Sequence, residues 1–348
     1  MDGVGGGGGG GADRVPIEKG RVVKPLAVKE IFWARNYVDQ FLLPERDIHV
    51  WLPPSYDKVP EKRYPVLYCH DGQNLWSNEK SWTGWSWQLG ENLEKLIAVK
   101  QIIEPIVVTI DNDSSDLLPG VRRRHLEYSG ETWLGERFLS FLCDELKPCI
   151  DGEFRTLPDP EHTSAMGSSM GGLCAFQAVW QRPEVFANCA CLSPVFQAPL
   201  LADVALNGKR LKETNGKFYL DIGGDSEQRK VPFWDWDEGT NAGYWWLDTQ
   251  LQPGVEAMRK VLDWHNVEHE FYFAGGSRHN ERAWAQRLDR PLRTLLGCDA
   301  SILATKMSGA ERRRGAGGDG VERKGEEGRG SPPMGVRGTV RGRSVDRG

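Results

Sequence analysis

Long apolar runs are absent from this sequence. None of its 348 residues lies in a stretch of about 18 consecutive apolar side chains, so we expect no transmembrane helix. The amino terminus also lacks the basic patch followed by an apolar stretch that marks a secretory signal. Together these absences predict a cytoplasmic protein that does not associate with membranes.

An excess of positive charge is missing as well. The chain has 44 Lys and Arg residues against 49 Asp and Glu residues, a formal net charge of −5. Nucleic-acid binders gain most of their affinity by neutralising phosphates with Lys and Arg. The charge balance therefore excludes a strongly basic nucleic-acid-binding protein, and we expect no nucleic-acid partner.

Cysteines at metal-binding or redox spacing are also lacking, because the seven cysteines include no Cys-x-x-Cys pair. Most stand in apolar segments such as FANCACLS (186–193), which favours buried, reduced thiols over disulfides. His265 and His269 stand four apart, but a helix should end near Asn266, between them. We therefore predict neither a metal nor a cofactor.

The two ends of the chain have few large apolar side chains. Residues 1–20 form a glycine-rich leader, and residues 300–348 form an Arg/Gly-rich tail without aromatic residues. Neither segment can bury enough surface to offset the entropy of ordering it, so we predict disorder in both. The folded domain is expected over residues 21–299.

Within that domain, short apolar runs alternate with helical patterns. The apolar runs predict strands at 47–53, 64–70, 105–111, 162–168, 186–193, 217–224 and 269–276. Helical periods fall at 88–100, 132–150, 171–181, 253–265 and 280–296, the second ending near Pro148. This alternation predicts a single α/β domain with a mostly parallel sheet covered by helices on both faces. The active site of such a sheet lies at the carboxyl ends of its strands.

A Gly-x-Ser-x-Gly element occupies residues 167–171, after a predicted strand and before a predicted helix. A tight strand-to-helix turn needs glycine on both sides of its central residue, because the two backbones approach closely. Such a turn lifts the Ser169 hydroxyl above the strand end. We therefore predict that Ser169 is a nucleophile.

A serine hydroxyl needs a neighbouring base, which an acid orients. Only His265, His269 and His279 follow Ser169 in the sequence. His279 lies in a loop between the last predicted strand and the carboxyl-terminal helix, where the chain order Ser, acid, His places the base. We predict His279 as the base.

The acid is expected in the loop GGDSEQRK, after the strand KFYLDIGG. Glu227 is our first candidate because it stands far enough beyond Gly224 to turn back over the sheet edge. Asp225 is nearer the strand and remains the alternative. Asp221 lies inside the strand and is a poor candidate.

Two backbone amides should stabilise the oxyanion that forms during acyl transfer. Met170 directly follows the nucleophile and provides the first. The loop HDGQN (70–74) provides the second, since Gly72 allows a sharp turn that aims the amide of Gln73 into the site.

Many tryptophans flank the predicted site. They follow the oxyanion loop at Trp76, Trp82, Trp85 and Trp87, and the acid loop at Trp234, Trp236, Trp245 and Trp246. Trp76 and Trp245 are candidates to line a substrate pocket, although ordinary core and lid packing explains such clusters equally well. Arg124 can meet an anionic substrate or can belong to a solvated run of charges.

Five segments taken together, VWLPPSYD, YPVLYCHDGQNLW, GSSMGG, FYLDIGGDSE and GGSRHNERAWAQRL, resemble the putative esterase family of α/β-hydrolases. That family includes enterochelin esterases, feruloyl esterase modules and esterase D-like enzymes. The resemblance covers about residues 25–297. It implies an α/β-hydrolase fold, Ser169 and His279 as catalytic residues, and an oxyanion hole from Gln73 and Met170. The family's acid usually stands about three residues after the strand-end glycine, which implies Glu227 when counted from Gly224.

The sequence thus predicts a serine esterase that cleaves a small-molecule ester or thioester through an acyl-enzyme. An acyltransferase with an alcohol or sugar acceptor is the alternative on the same scaffold. A binding protein that retains only the fold is a third reading, which intact Ser169 and His279 argue against. The oligomeric state is left open.

Overall fold

The computed structural model describes residues 20–27, 43–44, 46–237, 239 and 246–298. The predicted leader, apart from Gly20, and the predicted tail lie outside these described residues. Across the described ranges, no helix combines the length and apolar character that crossing a bilayer would require.

An eight-stranded sheet forms the centre of the domain, in the order β1-β2-β4-β3-β7-β8-β9-β10. Its strands are β1 (Arg21–Ala27), β2 (Asp47–Leu52), β3 (Val66–His70), β4 (Ile106–Ile110), β7 (Thr163–Ser168), β8 (Asn188–Leu192), β9 (Phe218–Ile222) and β10 (Glu270–Phe273). Two short strands, β5 (Asp116–Leu118) and β6 (Val121–Arg122), form a separate hairpin.

The six strands from β4 to β10 in this order run parallel, and β1 and β2 pair antiparallel at one edge. Parallel pairing places the carboxyl ends of these six strands along one rim of the sheet. The loops that follow β3, β7, β8, β9 and β10 therefore meet there, which is where ligands bind in open α/β sheets.

Ten helices occur among the described residues. They are α1 (Leu89–Ala98), α2 (Arg123–Glu127), α3 (Trp133–Ser140), α4 (Lys147–Glu153), α5 (Met170–Gln181), α6 (Ala198–Asn207), α7 (Lys209–Glu213), α8 (Leu247–Trp264), α9 (Glu281–Ala285) and α10 (Asp289–Leu296). Helices α1, α9 and α10 pack on one face of the sheet, and α3 to α6 and α8 pack on the other.

Both faces of the sheet are apolar, as β3 illustrates. Val66 and Tyr68 belong to the larger core cluster, whereas Leu67 and Cys69 belong to the cluster on the opposite face. Successive side chains of a strand point to opposite faces, so a strand covered on both sides must be apolar throughout. The predicted mostly parallel sheet with helices on both faces is confirmed.

The helix predicted to end near Pro148 continues further, to Glu153. Residues Phe141–Leu146 have π-helical hydrogen bonding, and α4 begins directly after them at Lys147. Pro148 is therefore the second residue of α4 and directly follows the π-helical segment, so the helix continues past the proline. The amino terminus agrees with prediction, since the Thr132 hydroxyl accepts from the amide of Gly135 at 3.0 Å.

All seven cysteines are free, as the sequence predicted, and five of them are buried. Burial raises the pKa of the Cys143 thiol to about 12 and raises the pKa of Cys69 still further above its ordinary range. These thiols are protonated at neutral pH, so they are packing residues rather than nucleophiles.

Candidate active site

Ser169 lies on a strained turn between β7 and α5. Its backbone has φ 57° and ψ −123°, a combination that costs a non-glycine residue about 1–3 kcal/mol. A Cβ atom at Gly167 would lie 2.5 Å from the carbonyl carbon of Gly171, so only glycine fits there. The turn therefore has the geometry that the Gly-x-Ser-x-Gly pattern predicts for a nucleophile.

Backbone hydrogen bonds hold this turn against the end of β8. The amide of Ser169 donates to the carbonyl of Leu192 at 2.9 Å, and the amide of Val195 donates to the carbonyl of Ser169 at 3.3 Å. Met170 is the first residue of α5, and its N–H has no acceptor within the helix. Ser169 is half-buried, so its side chain remains reachable from solvent.

The predicted oxyanion loop is a 3₁₀ turn, Gly72–Asn74, directly after β3. The positive φ of this loop falls on Asp71, at 60°, rather than on Gly72. Gly72 is needed for another reason, because a Cβ there would lie 2.6 Å from a carboxylate oxygen of Asp111 and 3.0 Å from the amide of Ile110. The Gln73 side chain accepts from the amide of Asn112 at 3.1 Å, which anchors the loop to the end of β4.

Asp71 connects the oxyanion loop to the nucleophile turn. A Cβ at Gly171 would lie 2.8 Å from Asp71 Oδ2, so the carboxylate packs directly against the glycine that follows Ser169. The Arg124 guanidinium donates to both oxygens of this carboxylate, from Nε and Nη2, each at 2.7 Å. The ion pair thus holds the oxyanion loop and the nucleophile turn in one arrangement.

The same ion pair sets the charge behind the site. Burial alone would raise the pKa of the Asp71 carboxyl, but Arg124 and the Asn112 amide hold that pKa below its ordinary 3.8. Burial lowers the pKa of the adjacent His70 to about 4, so this ring is neutral at pH 7. Arg124 was proposed from sequence either as an anion-binding group or as part of a solvated charge run. The solvated-run interpretation is wrong, because Asp71 engages the guanidinium and the Arg124 side chain is only 19% exposed. The anion-binding role stays a prediction.

His279 makes a short, buried contact with Asp248. The two atoms His279 Nδ1 and Asp248 Oδ1 lie 2.6 Å apart, and the side chains are 2% and 1% exposed. A carboxylate can only accept, so Nδ1 carries the hydrogen and Nε2 is the basic atom of the neutral ring. The edge of the imidazole packs on the indole of Trp284, with ring centroids 5.0 Å apart at 80°.

The carboxylate paired with His279 is therefore neither of the two predicted from sequence. Asp225 instead accepts from the amide of Val231 at 2.9 Å and pairs with Lys230 at 3.3 Å. Glu227 is exposed and lines a half-open cavity of about 610 Å³ beside β10. The prediction assumed that the acid stands in the loop directly after β9, whereas Asp248 stands in the first turn of α8.

The segment HNERAWAQR organises the acid and base side of the site. Asn280 caps α9 by accepting from the amide of Ala283 at 3.0 Å. Glu281 accepts from the Asn74 amide at 3.2 Å and from the Trp82 indole at 2.9 Å, both through Oε1. Glu281 therefore ties the helix that follows His279 to the oxyanion loop.

The tryptophans predicted near the site differ in their surroundings. Trp76 donates its indole N–H to Thr109 Oγ1 at 3.0 Å and packs on the apolar cluster beneath α1, as the core-packing alternative expects. Trp245 lies outside the described residues. Trp82 is 54% exposed, and the Arg282 guanidinium lies 4.9 Å from the ring centre of Trp85. Trp82 and Trp85 contact residues that follow His279, since the Trp82 indole donates to Glu281 and the Trp85 ring lies beside Arg282.

Among the described residues, no group of three or more metal-ligand side chains lies at this rim. Nε2 of His265 contacts the carbonyl of Ala205 at 3.0 Å, and Nδ1 of His269 contacts the carbonyl of Val267 at 2.9 Å. In the part of the chain that is described, the one group with clustered ligand-type atoms is Asp159, Glu161 and His162. It precedes β7 at the amino ends of the strands, and its two carboxylates are exposed.

A family model described as "Putative esterase" matches residues 42–295. The chain belongs to this esterase family. The esterase is 32% identical over 251 residues to an endo-1,4-beta-xylanase/feruloyl esterase of Xylanibacter ruminicola. That match covers 71% of this chain but only 29% of the curated relative.

Solved structures resemble the esterase in fold. A ferulic acid esterase superposes with a TM-score of 0.53 at 18% identity, over 79% of this chain and 98% of that one. An enterobactin esterase from Shigella flexneri gives a TM-score of 0.53 at 15% identity, over 80% and 60% of the two chains. The predicted α/β-hydrolase fold is confirmed, and family membership places the matched domain among carboxylic ester hydrolases.

Proposed function

We propose that this esterase is a serine hydrolase that cleaves a carboxylic ester or thioester through an acyl-enzyme on Ser169. In this proposal His279 is the base and Asp248 is the acid that orients it. The observation that carries the proposal is the buried 2.6 Å contact between His279 Nδ1 and Asp248 Oδ1. That contact lies at the rim of the sheet where β7 ends in the strained turn of Ser169.

Acylation follows from the tautomer that Asp248 imposes. Ser169 Oγ attacks the ester carbonyl while its proton moves to His279 Nε2, and the imidazolium so formed is stabilised by the Asp248 carboxylate. The proton then passes to the departing alcohol or thiol as the carbon–oxygen or carbon–sulfur bond breaks. An acyl group remains on Ser169.

Two amides support the negative oxygen that forms during this attack. Met170 offers the first N–H of α5, where the helix dipole adds a partial positive charge. Gln73 offers the second amide, from the 3₁₀ turn. The Gln73 side chain accepts from the amide of Asn112, which holds the turn in place. Because Arg124 neutralises Asp71, the carboxylate behind this loop does not oppose the developing negative charge.

Deacylation repeats the same proton transfers with water. His279 Nε2 takes a proton from water, the hydroxide attacks the acyl carbonyl, and Ser169 regains its proton as the acid leaves. An alcohol or sugar that replaced water at this step would make the protein an acyltransferase.

A fluorophosphonate probe tests the nucleophile directly. We expect the probe to label Ser169 of the folded protein, with labelling lost in Ser169→Ala and unchanged in Ser168→Ala. Absence of labelling in folded protein would refute the proposal and favour a non-catalytic binding role.

A substrate panel with added acceptor alcohols tests the reaction type. The 32% identical relative is named for feruloyl esterase activity, so a hydroxycinnamate ester belongs on the panel beside acetyl esters and thioesters. Release of free acid at a rate independent of added alcohol supports a hydrolase. A transesterified product that forms at the expense of free acid would instead identify an acyltransferase.

A further inference from the structure

Ser193 is a fully buried hydroxyl outside the residues that the proposed reaction uses. It directly follows β8, is 0% exposed, and has a positive φ of 43°. Its amide donates to the Asp221 carboxylate at 2.9 Å. A serine held in a left-handed conformation without solvent contact has a side chain aimed by its surroundings.

The hydrogen bonds of the Ser193 hydroxyl have a fixed direction. Trp284 Nε1 lies 3.2 Å from Ser193 Oγ, and Arg287 Nη2 lies 2.9 Å from it. An indole N–H and a guanidinium can only donate, so both lone pairs of Oγ are occupied. The single hydroxyl hydrogen must therefore point to the remaining partner, Asp248 Oδ2, at 3.1 Å.

Arg287 is itself immobile. Its Nε and Nη2 donate to the two oxygens of Asp221 at 2.8 Å and 3.0 Å, and Nη1 donates to the carbonyl of Ala283 at 3.1 Å. The Tyr219 hydroxyl also donates to Asp221, at 3.1 Å. Because the guanidinium is planar and engaged on three sides, the direction of its bond to Ser193 is set by the protein core.

We infer that Ser193 is a positioning residue for Asp248, oriented by Trp284 and Arg287 so that its hydroxyl donates to the carboxylate that holds His279. This inference rests on the proposed function. Ser193 and the amide of Gly223, at 3.0 Å, together occupy Asp248 Oδ2. The other oxygen, Oδ1, is thereby kept for His279.

The consequence is a carboxylate that cannot rotate. Two donors on Oδ2 fix the plane of the Asp248 side chain, and this plane fixes the imidazole through a single hydrogen bond. Catalytic groups must be held within about 0.5 Å of their productive geometry by supporting contacts of this kind. Loss of the Ser193 hydroxyl should slow the chemical step without weakening substrate binding.

Ser193→Ala tests the role of the hydroxyl. We expect kcat to fall about 10- to 100-fold, by analogy with the loss seen when a hydrogen-bond partner of a metal ligand is removed, with KM unchanged. Ser193→Gly is the second variant, because glycine accepts the positive φ without strain and also lacks the hydroxyl. A folded Ser193→Gly protein should show the same loss of kcat.

Trp284→Phe tests the orientation of the hydroxyl. This variant keeps an aromatic ring against His279 but removes one donor from Ser193, so we expect a smaller fall in kcat of about 3- to 10-fold. Trp180→Phe is the matched control. Its indole is equally buried and donates to Asp203 at 2.8 Å, far along α5 from Ser169, so kcat should be unchanged.

A spectroscopic readout separates positioning from stability. The proton between His279 Nδ1 and Asp248 Oδ1 should give a low-field proton NMR signal that disappears in Asp248→Asn. We expect this signal to move or broaden in Ser193→Ala and Ser193→Gly, and to stay in place in Trp180→Phe. Unchanged kcat and an unmoved signal in both Ser193 variants would overturn the inference. If wild-type protein fails to react with a fluorophosphonate, the proposed function has failed instead.

Discussion

Each half of the candidate active site is supported by one Asp–Arg pair. Asp71 and Arg124 lie behind the oxyanion loop and the nucleophile turn, with side-chain exposures of 6% and 19%. Asp221 and Arg287 lie behind Asp248 and His279, with exposures of 0% and 5%. The first pair packs against backbone, at Gly171, whereas the second reaches the site through the Ser193 hydroxyl.

This difference shows two ways of holding the atoms of a candidate site in place. The oxyanion half is set by backbone shape, since glycines at 72, 167 and 171 permit approaches that a Cβ would block. The acid and base half is set by a chain of side-chain hydrogen bonds. The oxyanion half tolerates few substitutions at its glycines. The hydrogen bonds of the other half can be removed one donor at a time. The predictions below use this contrast.

The largest effect is expected for Asp248→Asn. An amide in place of the carboxylate would favour the wrong tautomer of His279, so we expect kcat to fall about 10⁴-fold, as in the equivalent change in a Ser-His-Asp triad. Steady-state kinetics with an aryl ester measures this loss, and thermal unfolding checks that the variant is folded.

Asp225→Asn and Glu227→Gln are the matched controls for that experiment. Both carboxylates lie in the loop after β9, and we expect either change to alter kcat less than about 3-fold, as for surface substitutions. A loss comparable with that of Asp248→Asn in either control would restore the acid predicted from sequence.

Arg124→Gln should destabilise the oxyanion half. The change leaves the buried Asp71 charge without its partner, so we expect the free energy of unfolding at pH 7 to drop by about 3–5 kcal/mol. Denaturant titration measures this drop. If Arg124 bound an anionic substrate instead, KM for anionic esters would rise in the variant and the free energy of unfolding would change little.

Glu281→Gln should alter how stability depends on pH. Burial is the main reason that the pKa of Glu281 lies above its ordinary 4.5. A raised folded-state pKa means that the folded protein binds the proton more tightly than the unfolded chain does. The stability contributed by Glu281 is therefore complete below pH 4.5 and is lost as pH rises through the folded-state pKa.

Glutamine keeps the oxygen that accepts from Asn74 and Trp82 but does not titrate. Relative to wild type, Glu281→Gln should therefore gain stability as pH rises above 4.5, measured by denaturant titration at each pH. The stability contributed by Asp71 depends on pH in the opposite direction, because its folded-state pKa lies below the ordinary value. Asp71→Asn should lose most at neutral pH, and its deficit should shrink as pH falls below 3.8. A pH-independent difference for Glu281→Gln would contradict the assignment.

The smallest effect is expected for Trp76→Phe. Only the hydrogen bond to Thr109 and part of the packing under α1 are removed, so we expect a loss of about 1 kcal/mol in stability and unchanged KM. A rise in KM for aromatic esters with unchanged stability would show that Trp76 lines the substrate pocket after all.

The features predictable from sequence are those encoded locally. The periods of apolar residues predict the parallel sheet. The glycines at 167 and 171 predict the turn at Ser169, because the residues that allow this close backbone approach are neighbours in the sequence. Asp248 was not predictable in the same way. It stands on a helix well beyond the end of β9, and only the folded chain brings it to His279. One signal remained in the sequence, since Asp248 lies between Ser169 and His279 in the required chain order.

The ion pairs of Arg124 and Arg287 could not be predicted from the sequence either. Arg124 stands in a run of three arginines that is typical of a solvated surface, yet its guanidinium is paired with Asp71 in the loop after β3. Arg287 lies in the turn between α9 and α10, and its partner Asp221 is 66 positions away in sequence. Long-range ion pairs leave no periodic pattern in the sequence, so composition and spacing do not reveal them.

The position of Asp248 on α8 has a consequence for how such an enzyme can change over evolution. Its carboxylate is held by Gly223, Ser193 and His279, none of which belongs to the connection formed by residues 225–246. That connection can therefore be lengthened, shortened or replaced while the acid stays anchored at both of its oxygens. A lineage built on this arrangement can exchange the segment that contacts Arg278 and Arg282 without rebuilding the hydrogen bonds of Asp248.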